Sequence, residues 1–212
     1  MDVLERVVAV LLAGGRSSRM GGGDKSLRPL AGKPVLAHIV ARLRPQIGAI
    51  IINANGDPSR FAGFHLPVVA DSIAGFAGPL AGVHAGLQWA EANAPGVRHI
   101  VTLAADTPFF PHDLVQRFVA EARDDEGALL IAKSADGVHP VFGLWPVAIV
   151  RELEQSLMQG VRKVGAWTAE QGAREVMFPA VAIGGRLVDP FFNINRPQDL
   201  AEAEALLQET AR

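Results

Sequence analysis

The sequence predicts an α/β fold, in which helices flank a mostly parallel, twisted sheet. Short apolar runs without alternation, at Val7 to Leu12 and Ala49 to Ile52, are typical of strands covered by helices on both faces. Between such runs lie stretches with helical apolar spacing, such as Val35 to Leu43. Strands that alternate with helices usually form a parallel sheet, and its ligands bind beyond the carboxyl ends of the strands.

Composition indicates one globular domain spanning residues 1–212, because 49% hydrophobic and 20% charged residues are ordinary for a folded protein. No apolar run reaches the ~18 residues of a membrane span, and the N-terminus lacks a signal-peptide pattern, so we expect a cytoplasmic protein without a membrane partner. The absence of cysteine excludes thiolate nucleophiles and thiolate metal ligands. A net charge of −2 gives no general attraction to nucleic acid.

Further elements are predicted along the chain from apolar spacing and turn residues. We expect helices at Asp113 to Arg123, Val147 to Met158, Val161 to Glu170 and Pro197 to Thr210, and strands at Pro67 to Ala70, His99 to Asp106 and Ala128 to Ala132.

A glycine-rich, basic loop follows the first predicted strand. Gly14 and Gly15 end that strand, and glycine lets the backbone turn sharply and bring its N–H groups close to a ligand. The loop also carries the basic residues Arg16, Arg19 and Lys25. Such a loop suits the phosphates of a nucleotide, although its spacing is neither a Walker loop nor G-x-G-x-x-G. A flexible surface turn around Gly21 to Gly23 is the structural alternative.

Polar residues follow other predicted strands at the same sheet edge. Asn53 and Asp71 end the second and third strands, and a turn-forming role for Asn53 is the alternative. Asp106 ends the strand that begins at His99 and is suited to hold Mg²⁺, which prefers a few carboxylates together with phosphate oxygens. Asp106 could instead cap the next helix, but Asp113 lies closer to that helix start.

Other positions have a functional and a structural interpretation. In the segment Gly75 to Asn93, small residues such as Gly82 allow close approach of a backbone or a flat base, and equally allow close helix packing. His84 in that segment is interpreted as a packed histidine. His139 is either a turn residue or faces a substrate, and Arg162 with Lys163 either forms a second anion site or is simply solvated.

Four blocks of sequence resemble one known family. LAGGRSSRMGGGDKSL resembles the signature L-A-G-G-x-x-x-R-M-G-x-x-K of nucleotidyltransferases with the nucleotide-diphospho-sugar-transferase fold, and within them the molybdenum cofactor guanylyltransferases. The segments GPLAGVHAGL, HPVFGLW and F-N-I-N-x-P-x-D-L resemble later segments of that family in the same order. Ala105 stands where the family usually has a cysteine, a departure that concerns packing more than metal binding.

The resemblance implies a Rossmann-like nucleotidyltransferase fold that transfers GMP from GTP to the phosphate of molybdenum-bearing molybdopterin. The N-terminal part would bind the nucleotide and the C-terminal part the acceptor. In this scheme Lys25, Arg19 and Asp106 are catalytic, and Asp106 holds Mg²⁺. The nucleotide site comprises Leu12, Ala13, Gly14, Gly15, Lys25, Asn53, Asp71, Gly82, Asp106 and Asn195.

Asn193 and Asn195 lie in the closing block, where asparagines often only satisfy backbone groups. The resemblance favours Asn195 as part of the site. It also implies molybdopterin-synthesis proteins and recipient molybdoenzymes as further partners. Two alternatives remain: nucleotidyl transfer with another base or to a sugar phosphate on the same fold, and a nucleotide-binding module without turnover.

Overall fold

The computed structural model describes residues 6–14, 24–73, 78–123 and 125–210. The strands are β1 Val7–Leu12, β2 Pro29–Leu30, β3 Lys33–Pro34, β4 Ala49–Asn53, β5 Val68–Val69, β6 His99–Ala104, β7 Leu130–Ser134, β8 Gly137–Pro146, β9 Arg174–Met177, β10 Val181–Ile183 and β11 Arg186–Val188. The helices are α1 Val35–Leu43, α2 Pro79–Asn93, α3 Leu114–Ala122, α4 Val150–Met158, α5 Val164–Glu170 and α6 Pro197–Thr210. None of these helices is long and apolar enough to cross a membrane within the described ranges.

A seven-stranded sheet forms the centre of the fold, in the order β5-β4-β1-β6-β8-β7-β9. All its strands run in parallel except β8, which is antiparallel to both β6 and β7. Strand order reverses direction between β1 and β6, and open α/β sheets bind ligands beyond the carboxyl ends of the strands at such a point. The topology therefore places the candidate site where β1, β4 and β6 end.

Strand β1 is buried on both faces, which explains its apolar run without alternation. Ala9 and Leu11 belong to a core that includes Leu36 of α1 and Phe118 of α3. The intervening Val8 and Val10 belong to a second core, formed with residues of α2, α4 and α5. The two helical layers cover both faces of the strand, whereas Gly14, just beyond its carboxyl end, is exposed.

Helix α2 lies unusually close to β1 because Gly82 and Gly86, one turn apart, carry no side chain. A Cβ added at Gly86 would lie 2.6 Å from Val10 Cγ2, and one at Gly82 would lie 2.2 Å from Asn53 Oδ1 and 2.7 Å from Leu12 Cδ2. The small residues of this helix thus serve close packing against the strands, and Gly82 packs directly on a candidate site residue.

Several predicted element boundaries were wrong. The helix expected from Val161 begins only at Val164, and the strand expected at Ala128 to Ala132 is Leu130–Ser134. The two-residue hairpin β2–β3 and the hairpin β10–β11 were not predicted, because their strands are too short to show a period.

The expected cap of α3 also differs from the prediction. Asp113 precedes the helix, but its carboxylate accepts a hydrogen bond from Arg117 Nε at 2.6 Å rather than from a backbone N–H of the first turn. Gln46 Oε1 instead accepts from Val115 N at 3.1 Å. One N–H of the first turn of α3 is therefore satisfied by a residue distant in sequence.

Candidate active site

The carboxyl ends of three neighbouring strands form the floor of the candidate site. In the sheet register, Leu12 of β1 pairs with Asn53 of β4 and with Ala104 of β6. Backbone hydrogen bonds continue this alignment past the strand ends, from Ala13 N to Asn53 O at 2.9 Å and from Ala105 N to Leu12 O at 3.2 Å. The chain leaves β1 toward the exposed Gly14 beside the segment that carries Asp106.

Lys25, Asp106 and Asn195, here called the lysine cluster, meet at this edge. Lys25 Nζ donates a hydrogen bond to Asn195 Oδ1 at 2.6 Å and lies 3.9 Å from Asp106 Oδ2. The closing segment joins the same strand end through its backbone, because Ile194 N donates to Asp106 O at 2.9 Å. Residues 170 positions apart in the chain thus meet at one ammonium group.

Burial raises the pKa of the Asp106 carboxyl, and the nearby Lys25 ammonium only partly opposes that shift. The side chain of Asp106 keeps about a fifth of its surface exposed, so a ligand can still reach it. A carboxylate that has lost most of its water gains from a further positive charge beside it. The electrostatics of Asp106 therefore favour a bound cation.

The donor set at Asp106 fits Mg²⁺ that arrives with a triphosphate. Within the described part of the chain, no group of three or more His, Asp or Glu residues is arranged to hold a metal alone. Mg²⁺ typically binds one or two protein carboxylates and takes its other ligands from phosphates and water. Asp106 provides such a carboxylate, and Asn195 adds an amide oxygen within reach of the same lysine.

A second group, the Asp71 cluster, comprises Asn53, Asn55 and Asp71. Asn53 Nδ2 donates to Asp71 Oδ1 at 3.0 Å, and Asn55 Nδ2 donates to Asp71 Oδ2 at 2.7 Å. Asn55 Oδ1 also accepts from Asp71 N at 2.9 Å. Both oxygens of Asp71 are thereby fixed in orientation, which prepares the carboxylate for a directional contact. Asn53, only 4% exposed, lies behind Asp71 as its support.

Arg60 connects the two clusters. It lies in the 3-10 segment Pro58–Phe64 and donates from Nε to the carboxylate of Asp24, the residue before Lys25. Its NH2 group donates to Asn55 O at 2.6 Å. The residues Asp24, Asn55 and Arg60 were not predicted from the sequence, because each makes a hydrogen bond between separate loops.

The closing segment is held by its own helix and by aromatic packing. Asp199 in the first turn of α6 accepts hydrogen bonds from Asn195 N and Arg196 N, both at 2.8 Å. The acidic residue thus reaches back to the N–H groups before its helix, as in a capping box. The Phe191 ring lies 4.7 Å from that of Phe142. Asn193 is exposed, whereas Asn195 points at Lys25.

The C-terminal half holds the remaining candidates, namely His139 and the basic pair Arg162 and Lys163. The His139 ring lies 4.5 Å from the Phe191 ring, and His139 Nε2 lies 2.8 Å from Ser134 Oγ. Burial lowers the pKa of His139, an effect that Asp189 and Asp136 oppose. Arg162 NH1 donates to Val161 O at 3.0 Å, and the Arg162 carbonyl lies 3.8 Å from a Cβ placed on Gly78. The expected basic pair, with the exposed Lys163, therefore lies beside the start of α2.

Some predicted residues lie outside the described ranges, namely Gly15, Arg16, Arg19 and Gly21 to Gly23. Of the others, His84 is completely buried, with its Nδ1 2.9 Å from Ser72 Oγ, as expected for a packed histidine. The described candidates separate into the strand-end backbone of Leu12 to Gly14, the lysine cluster and the Asp71 cluster.

An α/β sheet whose strand ends gather a lysine, a carboxylate and polar side chains is typical of nucleotide-utilising enzymes. Consistent with this class, residues 9–175 match the family model described as MobA-like NTP transferase domain. A molybdenum cofactor guanylyltransferase of Mesorhizobium japonicum is 50% identical over 203 residues, covering 95% of this chain and 96% of its own length. Another, of Bradyrhizobium sp., is 47% identical over 201 residues, covering 94% and 92%.

The chain therefore belongs to the MobA-like nucleotidyltransferases and, within them, to the molybdenum cofactor guanylyltransferase family. Its fold also resembles the crystal structure of molybdopterin-guanine dinucleotide biosynthesis protein A from Archaeoglobus fulgidus. The TM-score is 0.70 with 24% identity, and the match covers 96% of this chain and 99% of that one. The expected single-domain nucleotidyltransferase fold is confirmed.

Proposed function

We propose that this protein transfers GMP from GTP to the terminal phosphate of molybdenum-bearing molybdopterin, forming the guanine dinucleotide cofactor and releasing pyrophosphate. The observation that carries the proposal is the lysine cluster, where Lys25, Asp106 and Asn195 meet at the strand edge. Family membership supports the choice of reaction, because curated relatives of nearly the full length are named for it.

The chemistry requires no nucleophile from the protein. An oxygen of the acceptor phosphate attacks the α-phosphorus of GTP, a new P–O bond forms, and the bond between the α-phosphorus and the oxygen bridging to the β-phosphorus breaks. Pyrophosphate leaves with that bridging oxygen. Both reactants are anions, so catalysis consists mainly of holding them in line and stabilising negative charge.

The lysine cluster supplies this stabilisation in our proposal. Lys25 contacts phosphate oxygens with an ammonium group that Asn195 holds in direction. Arg19, from the glycine-rich loop, adds a second cation. Asp106 would hold Mg²⁺, with the Asn195 oxygen as a second polar group nearby, and the bound ion would neutralise phosphate charge. A lysine and a carboxylate at one edge suit turnover better than mere nucleotide storage.

The remaining site residues bind and orient the nucleoside. We propose that backbone groups of Leu12, Ala13, Gly14 and Gly15 line the nucleotide. Because Gly82 has no side chain, it leaves Asn53 in place behind Asp71. Asp71 accepts the adjacent N1–H and N2–H₂ donors of guanine, a pair that adenine and cytosine do not offer. Its two supporting asparagines fix the carboxylate for that contact.

The C-terminal part binds the acceptor in this proposal. His139, which packs against the closing segment, faces the pterin side, and Arg162 with Lys163 attracts its phosphate. We also propose that the protein acts in the cytoplasm. Its protein partners there would be molybdopterin-synthesis proteins and recipient molybdoenzymes.

Acceptor dependence tests the proposed reaction. Pyrophosphate release is followed from GTP and Mg²⁺ with and without molybdenum-loaded molybdopterin. The proposal expects release only when both substrates are present, with one dinucleotide formed per pyrophosphate. Release at the same rate without the pterin would indicate hydrolysis and would contradict group transfer.

A further inference from the structure

Arg60 lies outside both clusters, yet its guanidinium makes contacts in several directions. Nε donates to the Asp24 carboxylate, NH1 donates to Asp57 O, and NH2 donates to Asn55 O at 2.6 Å. The guanidinium carbon also lies 4.6 Å from the centroid of the Phe61 ring, which is completely buried. Only a planar group with several fixed donors can satisfy these partners at once.

The Asp24 contact acts directly on the backbone that carries Lys25. Asp24 O accepts from Leu27 N at 3.2 Å, which closes a short 3-10 turn over Lys25–Leu27. Ser26 within this turn is buried. With its side chain fixed to Arg60 and its carbonyl fixed to the turn, Asp24 determines where the Lys25 side chain begins.

The Asn55 contact acts on the other cluster. Arg60 holds the backbone carbonyl of Asn55, whose side chain exchanges two hydrogen bonds with Asp71. Through these bonds, the placement of Asn55 decides the orientation of the Asp71 carboxylate. Arg60 is partly buried, with 26% of its side chain exposed, so water competes only in part for these bonds.

We propose that Arg60 is a positioning residue that supports both ends of the nucleotide site, by holding Asp24 beside Lys25 and Asn55 beside Asp71. The inference rests on the proposed function, in which Lys25 meets phosphates and Asp71 meets the base. Arg60 itself touches no substrate. It also neutralises Asp24, whose free carboxylate would repel a triphosphate close to Lys25.

Two measured quantities distinguish the Lys25 end of the nucleotide site from the Asp71 end. Guanosine lacks phosphates, so its affinity reports the Asp71 end alone, whereas the ratio of GTP affinity to guanosine affinity reports the Lys25 end. Asp24→Ala should lower the ratio and leave guanosine affinity unchanged. Asn55→Ala should lower guanosine affinity and leave the ratio unchanged.

Arg60→Met should lower both quantities, each by ~10-fold, the effect of losing one hydrogen bond to a charged group. Combining Asp24→Ala with Arg60→Met should leave the ratio no lower than the worse single variant, because both changes break the same link. Arg60→Lys keeps the positive charge but loses the planar set of donors, so we expect it to recover only part of the two quantities lost in Arg60→Met.

Arg117→Met is the matched control. Arg117 pairs with Asp113 at 2.6 Å and lies 5.8 Å from the Phe178 ring, so it makes the same two kinds of contact as Arg60 at a more exposed position away from the site. It should change neither affinity. Melting curves verify that each variant is folded, and if Arg60→Met is unfolded, Arg60→Lys carries the test.

The inference is overturned if the folded Arg60 variant changes neither quantity, changes only one of them, or lowers the ratio independently of Asp24→Ala. Wild-type turnover is measured alongside with GTP and CTP. A wild type that binds and uses CTP would contradict the proposed base while leaving the positioning role of Arg60 testable with CTP and cytidine.

Discussion

Lys25 is a single ammonium group that joins three parts of the chain at the strand edge. Lys25→Ala removes the cation and a side chain that is only 20% exposed, but it leaves both hydrophobic cores intact, so we expect the variant to stay folded with a similar melting temperature. Turnover should fall by ~10²–10³, as when one preorganised charge-stabilising group is lost from an active site. Single-turnover pyrophosphate release measures the effect.

Lys133→Ala is the control for that change. Lys133 Nζ pairs with Glu175 at 2.6 Å on the exposed side of β7, and such surface pairs contribute little. Its removal should leave turnover unchanged. Normal turnover in Lys25→Ala at an unchanged melting temperature would remove Lys25 from the catalytic site.

Asp106 is the proposed metal ligand, and asparagine there keeps the shape while losing the charge. Asp106→Asn should lose turnover far more than GTP affinity, because Mg²⁺ still arrives on the phosphates but is no longer held by a carboxylate. Magnesium titrations of GTP binding and of pyrophosphate release test this. Identical magnesium dependence and rate in both proteins would make Asp106 structural.

The same substitution has a stability signature. Because burial raises the pKa of folded Asp106, the folded state favours its protonated form, and the charge costs stability at neutral pH. That cost appears as pH rises from the unfolded pKa of ~3.9 through the raised folded pKa. Without metal, Asp106→Asn should melt above wild type at pH 7, and the difference should vanish below the unfolded pKa. A lower melting temperature at pH 7 would contradict this electrostatic account.

Asp71 and Asn53 are expected to differ in how they affect base selection. Asp71→Ala removes the carboxylate that accepts the guanine donors, and preference for GTP over ATP should narrow by ~10- to 100-fold. Asn53→Ala should narrow it less, since Asn55 still holds Asp71. Competition between the nucleotides measures both. Unchanged preference in both variants would assign base reading to backbone groups near Gly82.

At the scale of elements, the approach of α2 to the sheet depends on glycine. Gly82→Ala would place a methyl group 2.2 Å from Asn53 Oδ1, so the helix must shift. Overpacking of this kind costs ~1–3 kcal/mol, and GTP affinity should fall as Asn53 moves. Chemical denaturation and GTP titration test this change.

Gly165→Ala in α5 is the control, because its added methyl would lie 3.6 Å from Pro140 Cγ, an ordinary van der Waals contact. Gained helix propensity should stabilise it by up to ~1 kcal/mol. Equal stability changes in Gly82→Ala and Gly165→Ala would show that close packing of α2 is not required.

Elements with strong periodicity could be predicted from the sequence, and contacts between loops could not. The final helix, Pro197–Thr210, was predicted with its observed bounds, and the apolar run of β1 identified a strand buried on both faces. The predicted start of α5 was wrong because residues at helical apolar spacing begin at Val161, three residues before the helix begins at Val164. Motifs located Lys25 and Asp106, but the Arg60 bridge arises only when separate loops meet.

Across the whole molecule, the sheet brings residues from the first and last parts of the chain to one edge. Lys25 follows β1, Asp106 follows β6, and Asn195 precedes α6. The parallel strand ends define the location, while side chains on the connections define the chemistry. In the proposed reaction, the fold accounts for where nucleotidyl transfer would occur, the lysine cluster for how phosphate charge would be stabilised, and the Asp71 cluster for which base would be preferred.

Base selection in the complete reaction tests guanylyl transfer most directly. Wild-type protein is incubated with molybdenum-loaded molybdopterin, Mg²⁺ and one of GTP, ATP, CTP or UTP, and pyrophosphate and the dinucleotide product are quantified by mass. We predict rapid pyrophosphate release with GTP and with none of the other three nucleotides, and an equal amount of the guanine dinucleotide. Faster release with CTP, or pyrophosphate without any dinucleotide, would contradict the assignment.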